Sequence, residues 1–439
     1  MRPTSFTVAT LVMVIMLIGF TTSARSQDAE RNLRQAPKPT GTIVRPPSSL
    51  PQPGDAGVRA HTNIEILQLA SGTPMELPPF SGYAFETPAS LACLYNLVPA
   101  IAGCNPNLTV INATGGSQAI AVVDAFDDPN ALSDLSNFSL QFGLPLPQLQ
   151  VVYASGTEPL LDPTGGWELE ESLDIEYSHA MAPDATIYLV EAKSDHLVDL
   201  LQAVDVATHL IYCGSSKGCT VTKIPGAGEV SMSWGLGEFP AETSLDGYFN
   251  RDHVVFLAAS GDGPGTIWPC VSPNVVCAGG TTTARNPYTG DFLYELTWDL
   301  AGGGLSFFEP RPSYQNALVS QVGTQRGVPD LSFDSNPVTG VWVLDTNLYE
   351  GAPGGWFVLG GTSVATPSLA GILNNAATLH SSFAASSQAE NTLIYANGAQ
   401  AADFHDITLG FCGPYSGYKA GPLWDFCTGN GSVVGYAGK

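Results

Sequence analysis

Five short apolar runs between residues 119 and 283 each close on small or acidic residues: AIAVVDAFDD (119–128), ATIYLVEA (185–192), EVSMSWG (229–235), VVFLAASGDG (254–263) and VVCAGGTTT (275–283). Their apolar positions are nearly continuous rather than alternating, so each predicts a strand covered on both faces. Between them lie stretches with helical spacing. DPNALSDLSNFSLQFG (128–143) predicts a helix with Asp128 as its N-cap, GGWELEESLDIEYSHAMAP (165–183) one that stops before Pro183, and HLVDLLQAVDVATHL (196–210) an amphipathic one. Strands and helices in this order predict an α/β fold, a parallel sheet flanked by helices, with working groups at the carboxyl ends of the strands.

Charge narrows the partners. The chain of 439 residues carries 40 acidic against 16 basic residues, a formal net of −24, which makes nucleic acid and anionic membranes poor partners. Few bases also limit self-repulsion in acid, although acidity that serves solubility at neutral pH fits the composition equally well. Residues 1–24 read as a secretory signal, with Arg2, an apolar run ending near Phe20, and Thr22 and Ala24 placed for cleavage. The apolar core is short for a retained anchor. Residues 25–86 read as a Pro-rich linker with a short pro-segment, in which HTNIEILQLASG (61–72) predicts a strand, and the globular domain spans 87–439. Eight cysteines fall as near neighbours, and the expected pairs are Cys93–Cys104, Cys213–Cys219, Cys270–Cys277 and Cys412–Cys427.

GGTSVATPSLAG (360–371) places a serine, Ser363, between a small-residue turn and an incipient helix with Pro367 early in it. A serine hydroxyl needs a neighbouring base. One triad available in the chain is Asp124, His179 and Ser363, but His179 sits near a helix end, and surface or packing roles suit all seven histidines better. Glu170 and Asp174 are four residues apart in ELEESLD, so on a helix they share a face, and two such carboxyls can work as a coupled acid–base pair. On spacing alone a solvated acidic face is the better account. Asp262 lies in a Gly-rich turn, SGDG, where a protonated carboxyl could donate to an oxyanion; such turns are more often structural. VSMSWG (230–235) reads equally as a strand that pairs with a peptide or as an ordinary core strand.

GGTSVATP, ELEESLD with the following HAMAPDA, SGDG, and DITLG with AGPLWDFCTG occur in the order seen in the sedolisins, the serine-carboxyl peptidases, which the chain resembles from Thr87 to Ser432. TPASLACLYNL, AVVDAFDDPNA and RGVPDLSFDSNPVTG resemble the secreted bacterial members. The resemblance implies a subtilisin-like fold and a secreted, monomeric endopeptidase that hydrolyses polypeptides in acid. It implies Ser363 as nucleophile, Glu170 as general base, Asp174 as its orienting partner and Asp262 as oxyanion donor. It further implies one structural Ca2+ held by the carboxylates of Asp406 and Asp425 and the carbonyls of Ile407, Gly421 and Leu423. The chain departs from the family in two places: Leu423 stands for a usual glycine, and the segment before the domain is much shorter than the family's folded pro-domain. A catalytically inactive binding protein on the same fold is the alternative of another class.

Overall fold

The computed structural model describes residues 41–69, 85–214, 227–413 and 417–439. Its centre is a ten-stranded sheet. The parallel strands, in spatial order from one edge, are β5 (Gln148–Tyr153), β6 (Thr186–Ala192), β4 (Ala119–Ala125), β7 (Gly228–Met232), β9 (Val254–Ala259), β11 (Val276–Arg285), β15 (Leu331–Asp334) and β21 (Ser432–Val433). β12 (Phe292–Thr297) and β18 (Phe404–His405) join antiparallel to β11 and β21. β4 and β6 pair from Ala119 opposite Thr186 to Ala125 opposite Ala192, which sets Asp124 beside Glu191 at the carboxyl end.

Both faces are covered, as the continuous apolar runs require. Ile120 packs in one cluster with Leu169 and Leu173 of helix α3 (Gly166–Met181) and with Leu369 and Ile372 of α5 (Thr362–His380). On the other face Ala121 and Val123 pack with Leu200 and Val204 of α4 (Leu197–Cys213). α1 (Pro88–Leu94) is closed by a reciprocal capping box between Thr87 and Ser90. In α2 (Ala131–Phe142), Asn130 and not Asp128 is the N-cap; Asp128 instead accepts the Asn130 N–H on Oδ1 at 2.9 Å. α3 and α5 touch at Gly371, where a Cβ would stand 2.7 Å from the Met181 Cβ and 2.9 Å from the Ser178 carbonyl. That close approach brings the first turns of both helices together.

The stretch that the sequence assigns to a linker is built into the fold over 41–69. β1 (Gly41–Val44) pairs with β3 (Glu65–Leu69), and β3 pairs antiparallel with β17 (Ala352–Gly360), itself the partner of β16 (Val341–Tyr349). β2 (His61–Thr62) pairs with β8 (Trp234–Gly237), which is flanked on its other side by β10 (Ile267–Trp268). The segment is ordered by pairing within itself, β1 on β3, and by pairing with the distant strands β8 and β17, so little of its order shows as local periodicity. Cys93–Cys104, Cys270–Cys277 and Cys412–Cys427 are bonded as expected, and Cys219 lies outside the described residues, as do 1–40 with the signal assignment.

Candidate active site

Ser363 is the second residue of α5, immediately beyond the turn that ends β17. Gly361 makes that turn with φ of 116°, and a Cβ there would collide with the Asn63 carbonyl oxygen and stand 2.7 Å from Asp262 Oδ2. Only glycine fits both demands. Pro367, the sixth residue of α5, has no N–H for the Ser363 carbonyl, and that carbonyl instead accepts the Ser233 hydroxyl at 3.4 Å.

Glu170 and Asp174 project from α3 toward Ser363. The Ser363 hydroxyl donates to the Ser233 carbonyl at 3.1 Å and lies close enough to the Glu170 carboxyl to oppose its upward shift. Asp174 lies near Glu170, each carboxyl raising the other, and its Oδ1 accepts from the Ser233 hydroxyl at 2.8 Å. Glu170 Oε1 and Asp174 Oδ2 are buried with no hydrogen-bond partner, which favours a protonated carboxyl over a charged one. Burial raises both carboxyls well above their usual range, and the nearby Asp124 pushes them the same way. Asp124, at the end of β4, has both oxygens buried without a donor and is pushed up to about 8 by burial.

Asp262 faces the serine from the other side, in the turn after β9. Its Oδ1 accepts the Thr362 N–H at 2.8 Å and the Thr362 hydroxyl at 2.9 Å, satisfying an amide that the first turn of α5 leaves free. Oδ2 has no partner. Burial pushes Asp262 up to about 8, against the Thr362 hydrogen bonds that lower it. At acid pH the group is therefore a neutral O–H aimed past Gly361. The ensemble holds a hydroxyl against a carboxyl pair, with an uncharged acid opposite.

No family model matches the chain. Kumamolisin of Bacillus sp. (strain MN-32) is 29% identical over 358 residues, covering 73% of this chain and 59% of kumamolisin. Sedolisin of Pseudomonas sp. (strain 101) is 23% identical over 414 residues, 85% of this chain and 64% of sedolisin. The chain thus spans less than two thirds of either relative. The solved structure of Pseudomonas sedolisin, a serine-carboxyl proteinase complexed with two molecules of pseudo-iodotyrostatin, matches with a TM-score of 0.62 at 23% identity, over 80% of this chain and 96% of that one. The chain is similar to the sedolisins, and its parallel sheet with flanking helices is a subtilisin-like fold.

His179 is remote from Ser363. It follows Glu170 by nine residues on α3, about 13 Å along the axis at 1.5 Å per residue, and its Nε2 meets the Pro145 carbonyl at 2.9 Å. The triad of Asp124, His179 and Ser363 is not assembled.

In the C-terminal loop Asp406 meets Leu423 and Asp425 meets Gly421: Asp406 Oδ2 accepts the Leu423 N–H at 3.0 Å, and Asp425 Oδ2 accepts the Gly421 N–H at 2.9 Å. Leu423 has φ of 64°, the left-handed backbone in which glycine is at ease, and its side chain is exposed. Two neighbouring carboxylates and backbone carbonyls form a hard-oxygen donor set of the kind calcium takes. The Cys412–Cys427 bond ties the two ends of this loop.

Ser233 and Asn63 take part in the site without being singled out by sequence. Ser233 lies in VSMSWG, where nothing but the break between β7 and β8 separates it from Ser231. Asn63 lies in the segment assigned to the linker, and no local pattern marks it.

Proposed function

We propose that the chain is a secreted, acid-active serine-carboxyl endopeptidase. The reading is supported most by one observation, the buried cluster in which Ser363 stands against the interacting carboxyls of Glu170 and Asp174, with Asp262 opposite bound to Thr362. In this reading Ser363 Oγ adds to a peptide carbonyl as Glu170 takes its proton. Asp174, held by Ser233, orients Glu170 and shares that proton. The developing oxyanion receives the Ser363 N–H and the Asp262 O–H, donors already in position before charge appears. Glu170 returns the proton to the leaving amine, and water then releases the acyl group by the same steps in reverse roles.

The chemistry suits acid. Asp262 must stay protonated, and its rise to about 8 keeps it so throughout the acid range. Histidine would be charged there and unable to accept a proton, whereas a carboxylate still can. Burial is the largest cause of the rise of Glu170, which exposes no surface.

Calcium, where bound, would be held by Asp406, Asp425 and the carbonyls of Ile407, Gly421 and Leu423, and would brace the loop without entering the reaction. Export is supported by the signal-like residues 1–24 and by paired cysteines. Among the described residues no helix is long and apolar enough to cross a membrane. Digestion of a denatured protein across the pH scale tests the proposal: turnover below neutrality that Ser363→Ala abolishes is expected, and equal turnover by that variant ends it.

A further inference from the structure

A cavity of about 320 Å³ lies at the amino ends of β7 and β9, the end of the sheet opposite to Ser363. It is closed by the C-terminal half of α5, the loop 382–384, the start of α6 (Ser387–Asn397) and Lys439. Leu373 and Ala377, both in its wall, follow Ser363 by ten and fourteen residues on α5, about 15 and 21 Å along the axis. The cavity is therefore separate from the site described above. Its volume is at the lower end of the range that encloses a small organic molecule.

Val255, Leu373, Phe383, Ala384 and Leu393 make most of the lining apolar. Among them Glu390, on α6, is only 5% exposed, and its Oε1 is buried with no hydrogen-bond partner. Glu229, 2% exposed, holds the Asn374 amide on Oε2 at 2.7 Å. Lys439, the ammonium of the lining, donates to the Asp403 and Ala437 carbonyls at 3.2 and 2.5 Å and lies 4.8 Å from the centre of the Phe404 ring. Its donors are occupied, while an acceptor beside it is left open. His380 is held through Nε2 by the Tyr436 carbonyl at 3.0 Å, and His253 is half-buried in the wall. Two acids thus face one ammonium, and the unmet need is for a hydrogen-bond donor that carries positive charge.

We infer that this cavity is a second ligand site, which takes a small apolar ammonium: a protonated primary amine on a hydrocarbon or aromatic body. The ammonium donates to the Glu390 carboxyl, Glu229 adds negative charge beside it, and the body lies against Val255, Leu373 and Phe383. A ligand carboxylate in the same place would set oxygen against oxygen, and a hydrocarbon would leave the Glu390 carboxyl unsatisfied. Protons compete with such a ligand, because it binds the charged carboxylates. Burial pushes Glu390 up to about 7 and Glu229 up to about 8, so binding strengthens as pH rises through those values. In acid both carboxyls are neutral, His253 and His380 add positive charge, and binding is lost. Lys439, pushed down to about 8 by burial against the charges of Asp403 and Glu390, gives up its opposing charge at the top of that range.

Titration calorimetry of the full-length chain with phenethylammonium chloride, just above about pH 8, tests this. One saturable site per chain is expected, with Kd on the order of 1 mM or tighter. Glu390→Gln keeps the shape of the side chain and removes its charge, and should weaken binding at least about 10-fold without lowering Tm. Ala384→Trp fills the cavity from its half-buried outer wall with Glu390 intact, and should weaken binding as well. The neutral and anionic analogues, 2-phenylethanol and 3-phenylpropanoate, should each bind at least about 10-fold more weakly than the amine. Undiminished binding by Glu390→Gln places the amine elsewhere, among the carboxyls around Ser363 for one, and overturns the inference. Equal binding of the alcohol or the acid overturns it too, as does heat that never saturates. Peptide hydrolysis enters none of these outcomes, so the inference stands or falls independently of the function proposed above.

Discussion

The hydroxyl of Ser233 donates to Asp174 at 2.8 Å while the carbonyl of the same residue receives the hydroxyl of Ser363 at 3.1 Å, so one residue spans the nucleophile and the acid pair. Ser233→Ala removes the first bond and keeps the second. A hydrogen bond to a charged group contributes about 1.5–3 kcal/mol, so kcat is expected to fall about 10–100-fold with KM little changed. Steady-state kinetics on a peptide substrate check this, and a change of less than about twofold removes Ser233 from the relay.

Asp262→Asn separates the oxyanion donor from its titration. In the wild type the donor is lost as pH rises through about 8, where the neutral carboxyl ionises and repels the developing anion. An amide donates at any pH but more weakly than an acid, so a lower plateau is expected together with activity that persists above the wild-type limit. An unchanged alkaline limb would show that another group governs it.

Glu170→Gln and His179→Gln should divide cleanly. The first removes the proton acceptor and is expected to cost at least about 1,000-fold in kcat, as deletion of a triad member does. The second touches only the Pro145 carbonyl contact and should leave the pH–rate profile in place. A profile that follows His179 instead would reinstate an imidazole mechanism.

Stability should peak in acid. Burial pushes Glu390 up to about 7, Glu229 to about 8 and Glu191 to about 9. A carboxyl raised in the folded state stabilises fully below its unfolded value near 4.5 and loses that contribution as pH climbs to the folded value. Each such group weakens the fold by up to about 1.4 kcal/mol per pH unit inside its window. Thermal unfolding between pH 4.5 and 9 at fixed ionic strength should therefore give a falling Tm; a flat or rising curve contradicts it.

Chelation addresses the C-terminal loop. If the loop holds calcium at saturation about 100-fold above Kd, its removal costs about 2.7 kcal/mol and lowers Tm by several degrees. Asp425→Asn should abolish the response to added calcium while Ser363 still reacts with a serine-directed aldehyde. No calcium-dependent shift in the wild type argues against a site there.

The sheet and the grouping of Ser363, Glu170, Asp174 and Asp262 were legible because each depends on short-range signals. Continuous apolar runs mark buried strands, a four-residue spacing marks one helix face, and glycines flank the turns that carry Ser363 and Asp262. The placement of residues 41–69 was not legible beyond the strand expected within 61–72, where β2 and β3 lie. Their order comes from Trp234, Gly235, Asp195 and Gly360, all more than a hundred residues away in sequence, while their own composition resembles a free linker. Asp128 failed as a cap for a related reason: Asn347 and Ser172, from distant elements, claim its oxygens.

Helix α3 is buried along its whole length and carries five carboxylic acids, Glu168, Glu170, Glu171, Asp174 and Glu176, each shifted upward by burial. A nascent chain at neutral pH meets this helix with those groups charged, so acquiring the native state draws hydrogen ions out of the surrounding medium. Acidification of the environment supplies them in advance, so ambient acidity favours acquisition of the fold itself.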